Sequence, residues 1–409
     1  FSPGDTISLS GNFINWLNPS SPSLRCTLSS NNPNVVILDS IVNIGVLNNL
    51  AMYNNSANPF RVFISPSCPE NTNVLFKLTF SDFFYADRQY FSLDIHPNFL
   101  NITENTVHTS ISSNGRIGYA DPGANFGLGL SKNGALQHLA ASSFILADSP
   151  TRVSDATISA TVNPFTADFN PLIPATKLPV PEIADFDAYG MFADDNAGVN
   201  KLDVQSRYKV WAWNDPGFEK FVIVEYTLTN TGGSSLTNLF SGIYSFWEMP
   251  NGQFYNLNYI ADWDASRNMG FARNANNPLG SFAGVKLLSY DPVSWYAFNN
   301  NGAGGSINLF NGFTEAEKYT AISNGVSRPT AIPGTISGLL GTGPLQIASG
   351  DSVKVAFALL LGDDLADLQA SADSAQVKYD QLHVTWTGAI SSDWNDAGNW
   401  FPNHVPNAC

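Results

Sequence analysis

Apolar and polar residues alternate with a period of two through much of this chain. The clearest run is Asn73–Phe80, where Val74, Phe76, Leu78 and Phe80 share one face and Leu75, Lys77 and Thr79 share the other. That alternation predicts a half-buried antiparallel strand. Val35–Leu38, Arg61–Ser65 and Gln89–Ile95 predict further strands. Asn32-Pro33, Asn58-Pro59 and Ser67-Cys68-Pro69 punctuate them as turns. Short strands at this spacing predict an immunoglobulin-like sandwich over residues 1–96.

The pattern continues more densely over 98–382, which predicts a larger β-sandwich. Phe221–Leu228 places Val222, Val224, Tyr226 and Leu228 on one face, and Asn230–Gly233 follows as a turn. Val353, Val355, Phe357, Leu359 and Leu361 form a second core face. Asn114-Gly115 is a hairpin signal. Helix is scarce. Leu365, Leu368, Ala372, Ala375 and Tyr379 recur at three and four residues and predict one packed helix over 364–381. Asp363 and Asp364 sit where a cap and a first-turn acid belong. Thr314 and Glu317 match a capping box for a short helix. A β-propeller is the alternative architecture, but no internal repeat of about 40 residues supports it.

Composition points outside the cell. Hydrophobic residues make up 44% of the 409 residues and charged residues only 13%, about half the usual share. Asn, Ser, Thr and Gly take their place, as suits the turn-rich surface of a secreted β protein. The net charge of −15 argues against nucleic acid or an anionic membrane as partner, since both need basic patches. It fits binding of Ca²⁺ by Asp and Asn oxygens, and equally a soluble acidic surface. No run of about 18 apolar residues predicts a membrane helix. Cys26 and Cys68 fall in the same predicted domain and are expected to pair in an oxidising compartment, two buried free thiols being the alternative. Cys409 has no evident partner in the sequence.

The order Pro3-Gly4-Asp5, Leu28-Ser29-Ser30, Gly45, Ser67-Cys68-Pro69 and Phe76-Lys77-Leu78 resembles the sandwich domains that follow the catalytic domain in large subtilisin-like proteases of Bacteroidota. Residues 98–382 continue the resemblance through Asn114–Tyr119, Ala141–Ile145, Ser149–Asp155, Asp168-Phe169, Val355–Leu359 and Gly362–Leu368. Trp386-Thr387-Gly388, Trp394, Asn399-Trp400 and Val405-Pro406 resemble a tryptophan-rich module of proteins exported by the type IX secretion system, so 383–409 reads as the start of a further β module. The resemblance implies a fragment of a longer exported cell-surface or secreted protein, a subtilisin-like protease among the possible parents. It also implies O-glycosylation where Asp precedes Ser or Thr and a small or apolar residue, which places sugar at Thr6, Ser40, Ser352 and Ser374.

Chemistry-bearing motifs are few. The Asp, His and Ser contexts of subtilisin-like catalysis do not occur. Neither does a Gly-x-Ser-x-Gly elbow or a zinc-binding His-Glu-x-x-His. Asp121-Pro-Gly123 and Asp215-Pro-Gly217 read as turns. His96, His108, His138, His383 and His404 are scattered. Glu225, Glu248, Asp262 and Asp264 lie near Trp247 and Trp263 and keep a glycan-active enzyme open. Two Asp/Asn loops are the expected calcium sites: Asp194, Asp195, Asn196 and Asn200, and Asp262, Asp264 and Asn268. Turn capping by the same side chains is the competing explanation.

The expected role is therefore non-catalytic: to space, stabilise or dock a longer parent chain at a cell surface, with surface glycans or other surface proteins as partners. An adhesin or carbohydrate-binding module using Trp211, Trp213, Trp247 and Trp295 is the rival. Exposure of those rings in a groove would favour the rival, and burial would favour the structural reading.

Overall fold

The computed structural model describes residues 1–83, 85–121, 126–161, 165–250, 257–277, 280–289, 292–401 and 405. Strand accounts for 50% and helix for 11%, so the protein is an all-β sandwich with a little helix. The chain divides into two compact units, Phe1–Asn98 and Phe99–Cys409. The sequence expectations at His404, at Cys409, and in part at Asp121–Gly123 and Val405-Pro406 lie outside the described residues.

The first unit is an antiparallel sandwich of two sheets, of three and four strands, with a separate two-stranded pair, Asn12–Ile14 and Met52–Asn54. One sheet orders Thr6–Leu9, Phe60–Ile64 and Val35–Asp39; the other orders Ile41–Asn43, Arg25–Ser29, Thr72–Ser81 and Ala86–Ile95. The predicted alternation sets the faces. Val74 and Phe76 are fully buried, with Leu78 and Phe80 packed beside them, while Leu75 points outward. Ile7, Leu28, Val42, Phe60, Val62 and Ile64 complete the core.

The second unit stacks a ten-stranded sheet on a nine-stranded one. The order Phe186–Ala193, Val204–Ala212, Phe221–Asn230, Ser352–Gly362, Phe282–Leu287 runs through the middle of the nine-stranded sheet. Its central strands are apolar on both faces because both faces are covered. Val222, Val224, Tyr226 and Leu228 face the other sheet, as do Val355, Phe357, Leu359 and Leu361. Phe221, Ile223, Ala356, Ala358 and Leu360 face outward beneath a helix. The ten-stranded sheet follows the same logic. Phe144, Leu146 and Ile243 point inward, while Ile145, Ala147 and Tyr244 lie beneath a second helix.

These two α-helices are α1, Glu315–Ser323, and α2, Leu365–Leu382. The sequence expects one packed helix and a short capped one, and both form against a sheet. Thr314 closes the predicted capping box with Glu317. Asp364 caps α2 by accepting from the Asp367 N–H at 2.9 Å, while Asp363 holds Lys132 and Lys220. Leu368, Ala372, Ala375 and Tyr379 pack onto the nine-stranded sheet, as their spacing predicts, whereas Leu365, the first of that stripe, is exposed in the opening turn. Asn114-Gly115 turns the chain between paired Val107–Ser112 and Arg116–Ile117. Gly115 is required twice there, because its φ is +81° and a Cβ would stand 2.7 Å from the Phe169 ring.

Trp295 pins the two sheets together. It is 1% exposed, stacks on Trp263 at 6.0 Å and donates through Nε1 to the Pro329 carbonyl at 3.0 Å. Its ring fills space that a Cβ on Gly270 or Gly338 would enter, at 2.2 and 2.3 Å. Trp295→Ala is expected to destabilise the second unit by about 3–5 kcal/mol. Urea denaturation followed by circular dichroism measures this, and a loss under about 1 kcal/mol would contradict this packing.

Candidate functional site

The first expected calcium loop is a structural turn. Asp194 is 1% exposed, and its carboxylate accepts from the Leu202 N–H at 2.5 Å, the Val204 N–H at 3.0 Å and the Ser154 hydroxyl at 2.9 Å. Three of the about four acceptor positions of that carboxylate are thus taken by the protein. Asp195 pairs with Lys201, and Asn196 donates its side-chain amide to the Ala167 carbonyl. Asn200 is exposed at the end of the turn.

The second expected loop already contains a cation. Arg267 reaches Asp264 at 3.1 Å and clamps both carboxylate oxygens of Asp373 at 2.9 Å. Asp264 also accepts from Ser266 and from Gln369 of α2. Burial raises its pKa, but these donors outweigh burial and hold the carboxyl below its usual value. Asp262 lies 4.0 Å from Arg273, and burial pushes it up. Asn268 turns the strand with φ +49°. Asp194 and Asp264 are thus each engaged by several protein donors. Among the described residues, no three His, Cys, Asp or Glu side chains cluster as metal ligands.

The carboxylates considered for glycan chemistry are not assembled as a pair. Glu225 lies on the helix-facing side of Phe221–Asn230, touching His383 at 2.5 Å and Lys354 at 3.1 Å. Burial opposes its charge, yet His383 and Lys354 hold its pKa below the usual value. Asp262 and Asp264 belong to Tyr259–Asp264, and three strands intervene in the sheet order. At about 4.8 Å per strand this separation exceeds the roughly 5–9.5 Å of glycosidase pairs. Glu248 follows a strand of the other sheet and is raised by burial.

Two clusters escaped the sequence reading. His138 is 3% exposed, its Nε2 lies 2.7 Å from Ser281 Oγ, and burial pushes its pKa down to about 4. The adjoining cavity of about 10 Å³ has room for one water, not for a substrate. The second cluster lies beneath α1. Lys318 and Asp155 are both 0% exposed and meet at 2.6 Å. Lys318 also reaches Glu315 Oε1 at 3.2 Å. Asp155 Oδ1 accepts from the Thr157 N–H at 2.7 Å, from the Thr157 hydroxyl at 2.8 Å and from the Thr166 hydroxyl. The Asp155 N–H donates to Asp168 at 3.0 Å. Burial, then the charge of Asp155, pushes Asp168 up to about 6. Burial also raises Glu315, against the pull of Lys318. The pair is 163 residues apart, and no local motif joins the two positions.

The expected Cys26–Cys68 disulfide is corrected: both thiols are free and buried. Cys26 enters the core from the Arg25–Ser29 strand, whereas Cys68 lies in the turn after Phe60–Ile64 and points its Sγ at the Pro69 carbonyl, 3.6 Å away. Burial pushes the Cys26 thiol up to about 12.

The four tryptophans of the binding rival are interior. Trp211 and Trp213 are 4% exposed, and Trp247 and Trp295 are 1%. A polar cavity of about 360 Å³ is lined by Asp148, Arg152, Asp203, Asn230, Ser234 and Asn238 among others, with no aromatic ring. Trp386, Trp394 and Trp400 pack on one another, with Trp394 edge-on to Trp400 at 4.3 Å. Of the expected glycan acceptors, Thr6 and Ser352 are exposed, while Ser40 and Ser374 are half-buried.

Two measurements check these environments. Cys26 and Cys68 are expected to resist alkylation in the folded chain and to react fully, without reductant, once it is unfolded. Alkylation mass spectrometry reads both, and a disulfide would block labelling in both states. Asp168 has its folded pKa above the unfolded value. The stability it contributes is thus full below about pH 4 and lost as pH rises through about 6. Asp168→Asn is expected to leave low-pH stability unchanged and to raise stability at neutral pH, read from urea midpoints at both pH values.

No family model and no curated protein matches this chain.

Proposed function

We propose that this chain is a non-catalytic β scaffold within a longer secreted or cell-surface protein, spacing or holding the rest of that protein at the surface. The observation that supports the reading is the burial of Trp211, Trp213, Trp247 and Trp295, which makes the four rings of the binding rival part of the core. The state of the acids supports it. Glu225 and Asp264 are held by protein cations, and Asp194 by backbone donors. The acidic surface and the lack of any membrane-spanning helix among the described residues are compatible with it. A subtilisin-like parent, O-linked sugar at the exposed Thr6 and Ser352, and export by the type IX system belong to the same reading and rest on the resemblance of the sequence.

The adhesin reading keeps one supporting observation. The first unit exposes Ile14, Trp16, Leu17, Leu50 and Met52, with Ile14 and Met52 opposite each other in a two-stranded sheet. A glycan array and a panel of protein and polysaccharide substrates test both readings. The scaffold reading predicts neither binding nor turnover by the purified chain. Saturable glycan binding abolished by Trp16→Ala would establish the adhesin, and turnover that survives stringent purification would overturn the scaffold.

A further inference from the structure

We propose that Lys318 and Asp155 condense to an intramolecular amide that ties α1 covalently to the Arg152–Asp155 strand of the ten-stranded sheet. The geometry is that of two reactants held ready. The Lys318 nitrogen stands 2.6 Å from Asp155 Oδ2, and both side chains are wholly shielded from solvent. Such confinement acts as a concentration; well-oriented intramolecular reactions reach effective molarities of about 10⁵–10⁸ M. Exclusion of bulk water also disfavours the reverse hydrolysis.

The two oxygens of Asp155 are already distinguished. Oδ1 takes three donors, from the Thr157 N–H, the Thr157 hydroxyl and the Thr166 hydroxyl. Those donors would stabilise negative charge developing on Oδ1 as the nitrogen attacks the carboxyl carbon. Oδ2, which faces the amine, is then the oxygen that leaves. Glu315, whose Oε1 lies 3.2 Å from the Lys318 nitrogen, is placed as the proton carrier.

The balance closes without a further reagent. One ammonium proton moves along the existing hydrogen bond to Oδ2, giving the neutral amine and acid. The amine lone pair forms the nitrogen–carbon bond. Glu315 removes a second proton from nitrogen and returns it to the departing Oδ2, which leaves as water with its bonding electron pair. The third proton stays on the amide. Ammonium and carboxylate become amide plus one water, with no change in net charge or oxidation state.

The inference stands on the geometry beneath α1 and not on the scaffold reading. The test is the intact mass of the full purified chain, followed by a proteolytic map. The expected mass is one water below that of the sequence, with a branched peptide joining Asp155 to Lys318. Asp155→Asn is expected to reach the same final mass by losing ammonia instead of water. Lys318→Met is expected to keep the full mass of its sequence. Glu315→Gln is expected to slow the mass change by about 10²-fold or more while the fold is retained, a kinetic effect that a purely structural ion pair would not produce. A folded wild-type chain that keeps its full mass on prolonged incubation overturns the proposal. So does a water loss that maps to other residues.

Discussion

The second unit depends on one constraint: its central strands are apolar on both faces, so both faces must be covered. Phe221–Asn230 and Ser352–Gly362 send one set of side chains into the space between the sheets and the other set outward. Water cannot be allowed on the outward set without exposing Phe221, Ile223 and Leu360. Helix α2 supplies the cover on that side, and α1 does the same over Ile145, Ala147 and Tyr244 of the other sheet. The helices are few because each is needed only where a sheet's outer face is apolar.

The polar groups beneath and beside the helices follow from that covering. Gln369 and Asp373 of α2 engage Asp264 and Arg267, and His383 at its end meets Glu225. Charges withdrawn from water are retained where a partner compensates their lost hydration, and Asp264 and Glu225 each have one. Lys318 and Asp155 are the extreme case, entirely enclosed beneath α1. Residues that look like a scattered acidic site in the sequence are thus chiefly the polar fastenings of two helices.

This also explains what the sequence could disclose. Strand faces were legible at Val74 and Phe76 and at Val222 through Leu228, because a period of two survives whichever strands become neighbours. The start of α2 was legible because Asp364 caps its own helix three residues on. Strand order was not legible. It is strand order that keeps Glu225 apart from Asp262, and long-range packing that brings Lys318 to Asp155. The two Asp/Asn loops were ambiguous in the sequence for a related reason. Short oxygen-rich segments suit calcium and backbone capping alike, and only the tertiary structure shows that Asp194 faces the Leu202 and Val204 amides and that Arg267 stands beside Asp264. Cys26 and Cys68 share a core without sharing a direction, which their positions in the chain could not reveal.

The account rests on α2 being a permanent cover and not a lid over a working site. Native-state hydrogen exchange resolved by residue tests that most directly. The account predicts that the amides of α2 exchange with the same free energy as those of Phe221–Asn230 and Ser352–Gly362, all opening only when the second unit unfolds as a whole. Exchange of α2 at a distinctly lower free energy, with those strands still protected, would contradict it. Glu225 and Asp264 would then lie beneath a movable element, as the acids of an accessible site do.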